Sequence, residues 1–503
     1  MRAVRHMQQG WTLAGLLADL APVPAAWDVP VAGLALDSRR VEPGDLFFAC
    51  AGQRHHGLEH VAQAIARGAA AVVWEPDARH PSASVNADAP FIAVPGLRAQ
   101  VGVVADRFYD HPSRAMKMVG ITGTDGKTSV SQFLAQALDE DGDRCGVLGT
   151  LGYGLYGALK PGTHTTPDPI DLHRMLSGFR DAGVRRVVME VSSHALDQGR
   201  VSGVAFDVGV FTNVTRDHLD YHGSEEAYAA SKLRLFQWPG LEAAIVNLDD
   251  PFALRIAESV RDDVDLLGYT LVGCTLPGIE TLSARAIEYL PDGLCFALTT
   301  PWGDGRMQTS LLGHFNVANL LATLGVMLEL GFELSDAVER LTHTRTVPGR
   351  MERLRVHGRP AVVIDYAHTP MALQQVLGSL REHCAGRLWC VFGAGGDRDR
   401  GKRPLMAAAA ERHADRVVVT SDNPRHEDPE AIIDEIMSGF RDASPVLRES
   451  DRAAAIALAV NAAAPEDLVL VAGKGHEAVQ IVGDEQRPFS DRALVRTLLG
   501  GAA

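Results

Sequence analysis

The chain has 503 residues, too many for one hydrophobic core, so about three domains are expected. Hydrophobic residues at 46% and charged residues at 22% exclude a disordered or fibrous chain, and a net charge of −15 argues against a general nucleic-acid or acidic-membrane binder. Any anionic ligand must therefore be held by a local basic site. Cys50, Cys145, Cys274, Cys295, Cys384 and Cys390 show no paired or metal-like spacing, which suits buried thiols in a reducing cytoplasm. No apolar run approaches bilayer-spanning length, and residues 11–17, cut short by Asp19, read as an amphipathic helix rather than a signal peptide.

Residues 1–115 form the first expected domain, a small α/β unit. Leu36-Asp-Ser38 leads through the turn signal Pro43-Gly44 into a short apolar strand ending at Ala49. A polar loop holding Gln53, Arg54 and His55 follows. Next come a helix ending at Arg67-Gly68, strands at 70–74 and 91–94, and a helix at 100–109. Alternating strands and helices imply an α/β layer. By themselves these residues dictate no chemistry.

The second expected domain, 116–346, opens on Met118-Val-Gly-Ile-Thr-Gly-Thr-Asp-Gly-Lys-Thr-Ser129. Residues 118–121 read as the end of a buried strand, and a helical pattern runs from Lys127 towards Glu140. A strand, a Gly-rich turn and a helix N-terminus make an anion cradle. Backbone N–H groups and the helix dipole face a phosphate, Lys127 adds a charge, and the Thr128 hydroxyl can reach Mg²⁺. Ile121 stands where the longer P-loop spacing wants glycine, so the match is to the shorter Gly-x-x-Gly-Lys-Thr form. His164-Thr-Thr-Pro-Asp-Pro169 reads as a turn and N-cap before a helix at 172–179. Glu190 stands at the carboxyl end of a buried strand, where a Mg²⁺-binding carboxylate belongs. The strand at 208–213 likewise spills into polar residues, among them His218 as a candidate ligand. Lys232 falls on a helix face that periodicity would expose. Asn316 and Asn319 lie one helical turn apart, suited either to a base edge or, for one of them, to capping.

The third expected domain, 347–503, gives four strand-then-polar-loop signals at 361–370, 388–403, 417–427 and 468–477. Helical segments separate them, which implies a doubly wound, Rossmann-like parallel sheet with ligands outside the strand carboxyl ends. These loops carry Arg398, Arg400, Lys402, Arg403 and Arg425 beside Asp422 and Glu477. Both signs of charge in one crevice suit a zwitterionic substrate such as an amino acid.

Gly123-Thr-Asp-Gly-Lys-Thr-Ser129, Met189-Glu-Val-Ser-Ser-His194, Thr212-Asn-Val-Thr-Arg-Asp-His218, the helix start at 313–319, Asp365-Tyr-Ala-His-Thr-Pro370 and Gly473-Lys-Gly-His-Glu477 occur in that order. Together they resemble the Mur ligases, the ATP-dependent enzymes that build the peptidoglycan stem peptide. Within that family, Asp422-Asn-Pro-Arg425 looks like the mark of members that add meso-diaminopimelate to UDP-N-acetylmuramoyl-L-alanyl-D-glutamate. The lysine-adding relatives lack the arginine. A guanidinium suits the extra far carboxylate of diaminopimelate.

The resemblance implies roles residue by residue. Leu36, Ser38, Gln53, Arg54 and His55 would hold the UDP part of the substrate. His164, Thr165, Thr166, Ser192, Gln198 and Arg200 would hold the muramoyl-dipeptide. Gly123, Thr124, Asp125, Gly126, Lys127, Thr128 and Ser129 would bind ATP phosphates, with Asn316, Asn319 and Arg350 on the nucleotide. Thr128, Glu190 and His218 would surround Mg²⁺. Lys232 matches a lysine carried as a carbamate, which reverses the exposed reading and makes it a further metal ligand. Arg398, Asp422, Asn423, Pro424, Arg425, Gly473 and Glu477 would hold diaminopimelate. Lys127, Lys232 and His218 would be the catalytic residues, in a cytoplasmic monomer acting on small molecules. Departures from the family pattern are Asp125 for asparagine, Ser231 for alanine and His164 for asparagine.

Three other readings are open. A folylpolyglutamate synthase would share the phosphate loop but not need the first hundred residues or Asp422–Arg425. A P-loop switch would hydrolyse nucleotide indifferently to amino acids. A non-catalytic, Mur-like binding protein would have no need to retain Lys127, Glu190, His218 and Lys232.

Overall fold

A computed structural model describes residues 10–52, 55–82, 89–140 and 142–500. It divides into two compact units, one running to Gly268 and including Thr275–Glu280, the other comprising Tyr269–Cys274 and the chain from Thr281.

The first unit holds two sheets. Strands Gly33–Ala35, Asp45–Ala49, Ala71–Trp74 and Phe91–Ala93 pair in that order, all parallel. Successive side chains of Asp45–Ala49 point to opposite faces. Leu46 and Phe48 therefore join one core with Val101 and Val104 of helix Leu97–Phe108, while Phe47 and Ala49 join another with Val61 and Ala64 of helix Val61–Ala66. Burial on both faces explains why the strand reads as a nearly unbroken apolar run. The expected amphipathic helix near the N-terminus is a single turn, Leu13–Leu16, capped by the Thr12 hydroxyl.

The other sheet of this unit includes, side by side, Ala243–Asn247, Val208–Phe211, Lys117–Thr122, Arg186–Glu190, Cys145–Gly149 and Gly152–Leu155. These six pair in parallel except for the last two. Lys117–Thr122, the first of these strands in the chain, lies between Val208–Phe211 and Arg186–Glu190, so chain order reverses beside it. A ligand crevice forms at the carboxyl ends of such strands, and that is where the phosphate loop emerges. The following helix is Lys127–Leu138, ending before Asp139, whose carboxylate accepts from Cys145 N at 2.9 Å. The helix expected at 172–179 is longer, Pro169–Asp181, because the Asp168 side chain caps the N–H groups of Ile170 and Asp171 and Pro169 fits the first turn.

The second unit contains an antiparallel meander of Glu280–Leu290, Gly293–Thr300 and Gly303–Thr309, none of which the sequence reading anticipated. Its main sheet orders Glu352–Leu354, Ala361–Asp365, Leu468–Ala472, Leu388–Phe392, Arg416–Val419 and Leu447–Arg448, antiparallel at the first pair and parallel thereafter. Val363, Cys390 and Leu470 face one core, and Val362, Val391 and Val469 face the other. Helices thus cover both faces, as a doubly wound sheet requires. All six cysteines are free; Cys145, Cys295 and Cys390 are buried, but Cys274 is exposed, contrary to the expectation of buried thiols throughout. No helix among the described residues is long and apolar enough to cross a membrane.

Candidate active site

In the first unit the loop leaves its strand at Gly123, whose φ is +152°. A Cβ there would stand 1.8 Å from Thr212 Oγ1, so no other residue fits this close approach. The neighbouring strand end fixes the rest of the loop. Thr124 N donates to Asn213 O at 2.9 Å, Asp125 N donates to Asn213 Oδ1 at 2.9 Å, and Thr212 Oγ1 donates to Asp125 O at 2.5 Å. Gly126 precedes the helix with φ +84°, which leaves the first-turn N–H groups of Thr128 and Ser129 at the helix mouth. Lys127 Nζ folds back onto the loop, donating to Gly123 O at 2.9 Å and Thr124 O at 2.8 Å.

Lys232 Nζ donates to the same Gly123 carbonyl at 2.7 Å, and the residue is 1% exposed. The exposed position that periodicity suggested is therefore wrong, because helix Glu225–Leu233 turns this face inward. Burial, and after it the positive charge of Lys127, hold the Lys232 amine well below the ordinary lysine range. Its Nζ lies 4.3 Å from the Tyr228 ring centroid, and Tyr228 Oη is 3.0 Å from Thr124 Oγ1.

Glu190, at the end of Arg186–Glu190, is wholly buried. It accepts from Thr128 Oγ1 at 3.0 Å, from Thr150 N at 2.9 Å and from Thr150 Oγ1 at 3.0 Å. A buried carboxylate ringed by hydroxyls at a phosphate loop is an all-oxygen donor set of the kind a hard cation takes. Thr150 was missed by the sequence reading; its signal was a polar residue directly following a buried strand, as at Glu190. His218 has φ +51° and a half-exposed ring, 4.8 Å between centroids from His194 and 6.0 Å from Tyr228. It approaches the loop by way of Tyr228.

The residues expected to hold the muramoyl-dipeptide form one chain of contacts. Thr165 Oγ1 is 3.1 Å from Thr150 Oγ1, Thr166 Oγ1 donates to Glu190 O at 2.9 Å, and Ser192 N donates to Thr166 Oγ1 at 3.2 Å. Arg200 reaches Thr166 O at 3.1 Å and Gln198 Oε1 at 2.8 Å, and Gln198 Nε2 donates to Tyr221 Oη at 3.1 Å. His164 is exposed, and its carbonyl accepts from Tyr153 Oη. Farther toward the N-terminus, buried Ser38 donates to Gln63 Oε1 at 2.7 Å, Leu36 packs on the adjoining core, and exposed His55 lies 3.4 Å from Glu59. Gln53 and Arg54 lie outside the described residues. His56, Asp77 and His80 could group around a metal, but both ring nitrogens of His56 are engaged, Nδ1 by Leu58 N and Nε2 by Glu75 O.

The second unit gathers the other charged loops. Gly473 has φ +117°, and a Cβ on it would come 2.4 Å from Asp422 Oδ2. Asn423 Nδ2 donates to Glu477 Oε2 at 2.9 Å. After Pro424, Arg425 is held in the left-handed region at φ +50° by its N donating to Ile481 O at 3.1 Å and its carbonyl accepting from Gly483 N at 2.6 Å. Arg425 Nη1 donates to Gly396 O at 2.7 Å, and both this guanidinium and exposed Arg398 flank Gly395.

Two of the cations that the sequence reading set beside Asp422 belong elsewhere. Arg403 is fully buried and clamps Glu427 at 2.8 Å and Glu435 at 2.6 Å, while Arg400 pairs with Glu435. Glu427 is thereby held down at about 2. Lys402 Nζ donates to His368 O at 3.0 Å. The sequence reading also missed Lys474 and Arg452. Buried Arg452 pairs with buried Asp491 at 2.7 Å and donates to Ser421 O at 3.2 Å and Ala472 O at 2.9 Å, bracing two strand ends. In the same unit, buried Asn316 donates to Leu312 O at 2.7 Å and accepts from Asn319 Nδ2 at 3.0 Å. Arg350 lies 4.8 Å over the Tyr366 ring.

The Mur ligase middle domain model matches residues 121–327, the Mur ligase glutamate ligase domain 349–475, and the Mur ligase family catalytic domain 30–109. A protein of Alkalilimnicola ehrlichii named UDP-N-acetylmuramoyl-L-alanyl-D-glutamate–2,6-diaminopimelate ligase is 51% identical over 97% of this chain and 98% of its own. The chain belongs to the Mur ligase family. A Pseudomonas aeruginosa ligase of the same name is 52% identical over 92% of this chain and 94% of its own. A solved structure of a ligase so named superposes with a TM-score of 0.75 at 36% identity, covering 98% of this chain and 99% of that one. A Mycobacterium tuberculosis folylpolyglutamate synthase shares the fold over 80% of this Mur ligase chain and 96% of its own, at a TM-score of 0.62 and 21% identity.

Proposed function

We propose that this Mur ligase uses ATP to join meso-diaminopimelate to the D-glutamate of UDP-N-acetylmuramoyl-L-alanyl-D-glutamate. The observation that carries the reading is the Asp422–Arg425 loop. Arg425 spends one donor on Gly396 O, leaving an edge of its fork for a carboxylate that lysine lacks. Glu477 and Asp422 stand in the same loop cluster to receive ammonium groups. The names of relatives about half identical over nearly their whole length support the same substrate.

The chemistry follows from charge. A glutamyl carboxylate attacks the γ-phosphorus of ATP, ADP leaves, and an acyl phosphate forms. An unprotonated diaminopimelate amine then attacks the acyl carbon, phosphate departs as the amide bond closes, and the nitrogen gives up one proton. Two anions must approach in the first step, so Lys127 moves from the loop carbonyls to the phosphates, where its charge is needed. Glu190, Thr128 and Thr150 would hold Mg²⁺, and His218 is a further candidate ligand; bound there, the ion would offset phosphate charge. Thr165, Thr166, Ser192, Gln198 and Arg200 would hold the acceptor dipeptide, and Asn316, Asn319 and Arg350 the nucleotide.

Lys232 is read as a carbamate in the working enzyme. Its neutral amine adds to CO₂, one N–C bond forms, one proton leaves, and an anion able to ligate a second Mg²⁺ replaces the buried amine. Burial beside Lys127 supports this, since both disfavour the ammonium that would not react. The enzyme is proposed to act as a cytoplasmic monomer. The test is phosphate release from ATP with the UDP-muramoyl-dipeptide, scanned across meso-diaminopimelate, lysine and ornithine. Release that is indifferent to the amino acid would overturn the assignment.

A further inference from the structure

Lys474 is fully buried, yet its ammonium sits among the residues assigned to the incoming amino acid. It donates to Asn423 Oδ1 at 3.0 Å, to Glu477 Oε2 at 2.9 Å and to Val479 O at 2.6 Å. Asn423 Oδ1 also accepts from Ile481 N at 3.0 Å. With two donors on its oxygen, the Asn423 amide has one orientation, and its Nδ2 must face Glu477, which it meets at 2.9 Å. Both bonds to Glu477 fall on Oε2, which leaves Oε1 without a hydrogen-bond partner among the described residues.

We propose that Lys474 is a positioning residue for amino-acid recognition: it locks Asn423 and Glu477 together so that one carboxylate oxygen is presented to a substrate ammonium. This rests on the diaminopimelate reading and extends it to a residue that acts through its neighbours. Without the ammonium, Glu477 keeps only an amide partner and can rotate, and the amine loses a preorganised acceptor. The same cation offsets the Glu477 charge when no amine is bound, and together with Val479 O it ties the loop to strand Val479–Val482.

The test is steady-state phosphate release by the full-length enzyme carrying Lys474→Met, Lys474→Arg, Glu477→Gln and the Lys474→Met/Glu477→Gln pair. Wild-type release that depends on meso-diaminopimelate tests the reading on which this rests, separately from any variant. For Lys474→Met, loss of a charge-assisted contact should raise KM for diaminopimelate by about tenfold or more, with KM for ATP and for the UDP-dipeptide within about twofold. The double variant should be no worse than the poorer single one, because both act through one carboxylate. Lys474→Arg should recover part of the affinity by restoring a cation. Equal rises in all three KM values, or additive losses in the double variant, would overturn the proposal. If Lys474→Met does not fold, the comparison of Lys474→Arg with Glu477→Gln carries the test: a KM for diaminopimelate as poor in Lys474→Arg as in Glu477→Gln would equally overturn it.

Discussion

Replacing Arg425 by alanine perturbs diaminopimelate recognition with little disturbance to the backbone. The left-handed φ of +50° is held by backbone bonds to Ile481 O and from Gly483 N, which alanine retains. Alanine is also no more strained there than arginine. The side chain loses one bond to Gly396 O, at 2.7 Å, and the edge of the guanidinium left for substrate. A two-point, charge-assisted contact to a carboxylate is worth about 1.5–3 kcal/mol, which converts to about tenfold to 150-fold in KM. The assay is phosphate release with each substrate varied in turn. KM for meso-diaminopimelate should rise by that factor while KM for ATP stays within about twofold, and preference over lysine should shrink in step. A rise of similar size for ATP, or unchanged preference over lysine, would refute the reasoning that Arg425 reads the far carboxylate.

Lys232→Ala should lose nearly all ligase activity and regain part of it with added short-chain carboxylates; full activity without them would remove the carbamate. Arg452→Met leaves Asp491 buried without its cation and should destabilise the protein by about 3–5 kcal/mol in urea unfolding. Adding Asp491→Leu should restore most of that, and an Arg452→Met protein as stable as wild type would contradict this account of the pair. Glu427, depressed from 4.5 to about 2 by the Arg403 guanidinium, contributes stability that is present above about 4.5 and lost as pH falls through about 2. Arg403→Met should therefore flatten the loss of stability between those values, and an unchanged acid profile would show that the pair does not set it.

The phosphate loop and Glu190 were legible because their signals are local: glycines at a strand end, and an acid following an apolar run. The four strand-end loops of the second unit were legible for the same reason. What was not legible depends on distant partners. Thr150 matters through Glu190, 40 positions away, and Arg452 through Asp491, 39 positions away. Lys474 received no role from its motif because its partner Asn423 lies 51 positions away. Lys232 misled because periodicity reports a helix face without saying what packs on it. Arg400 and Arg403 misled in the opposite direction, since their neutralising partners Glu427 and Glu435 sit on another loop and helix.

The most direct test of the central claim is the product itself. The purified enzyme is given ATP, Mg²⁺, UDP-N-acetylmuramoyl-L-alanyl-D-glutamate and an equimolar mixture of meso-diaminopimelate and L-lysine, and the products are resolved by mass spectrometry. The account predicts the diaminopimelate-containing UDP-muramoyl-tripeptide as the dominant product, formed in step with ADP. A lysine tripeptide in equal or greater amount, or ADP formed without any tripeptide, would contradict it.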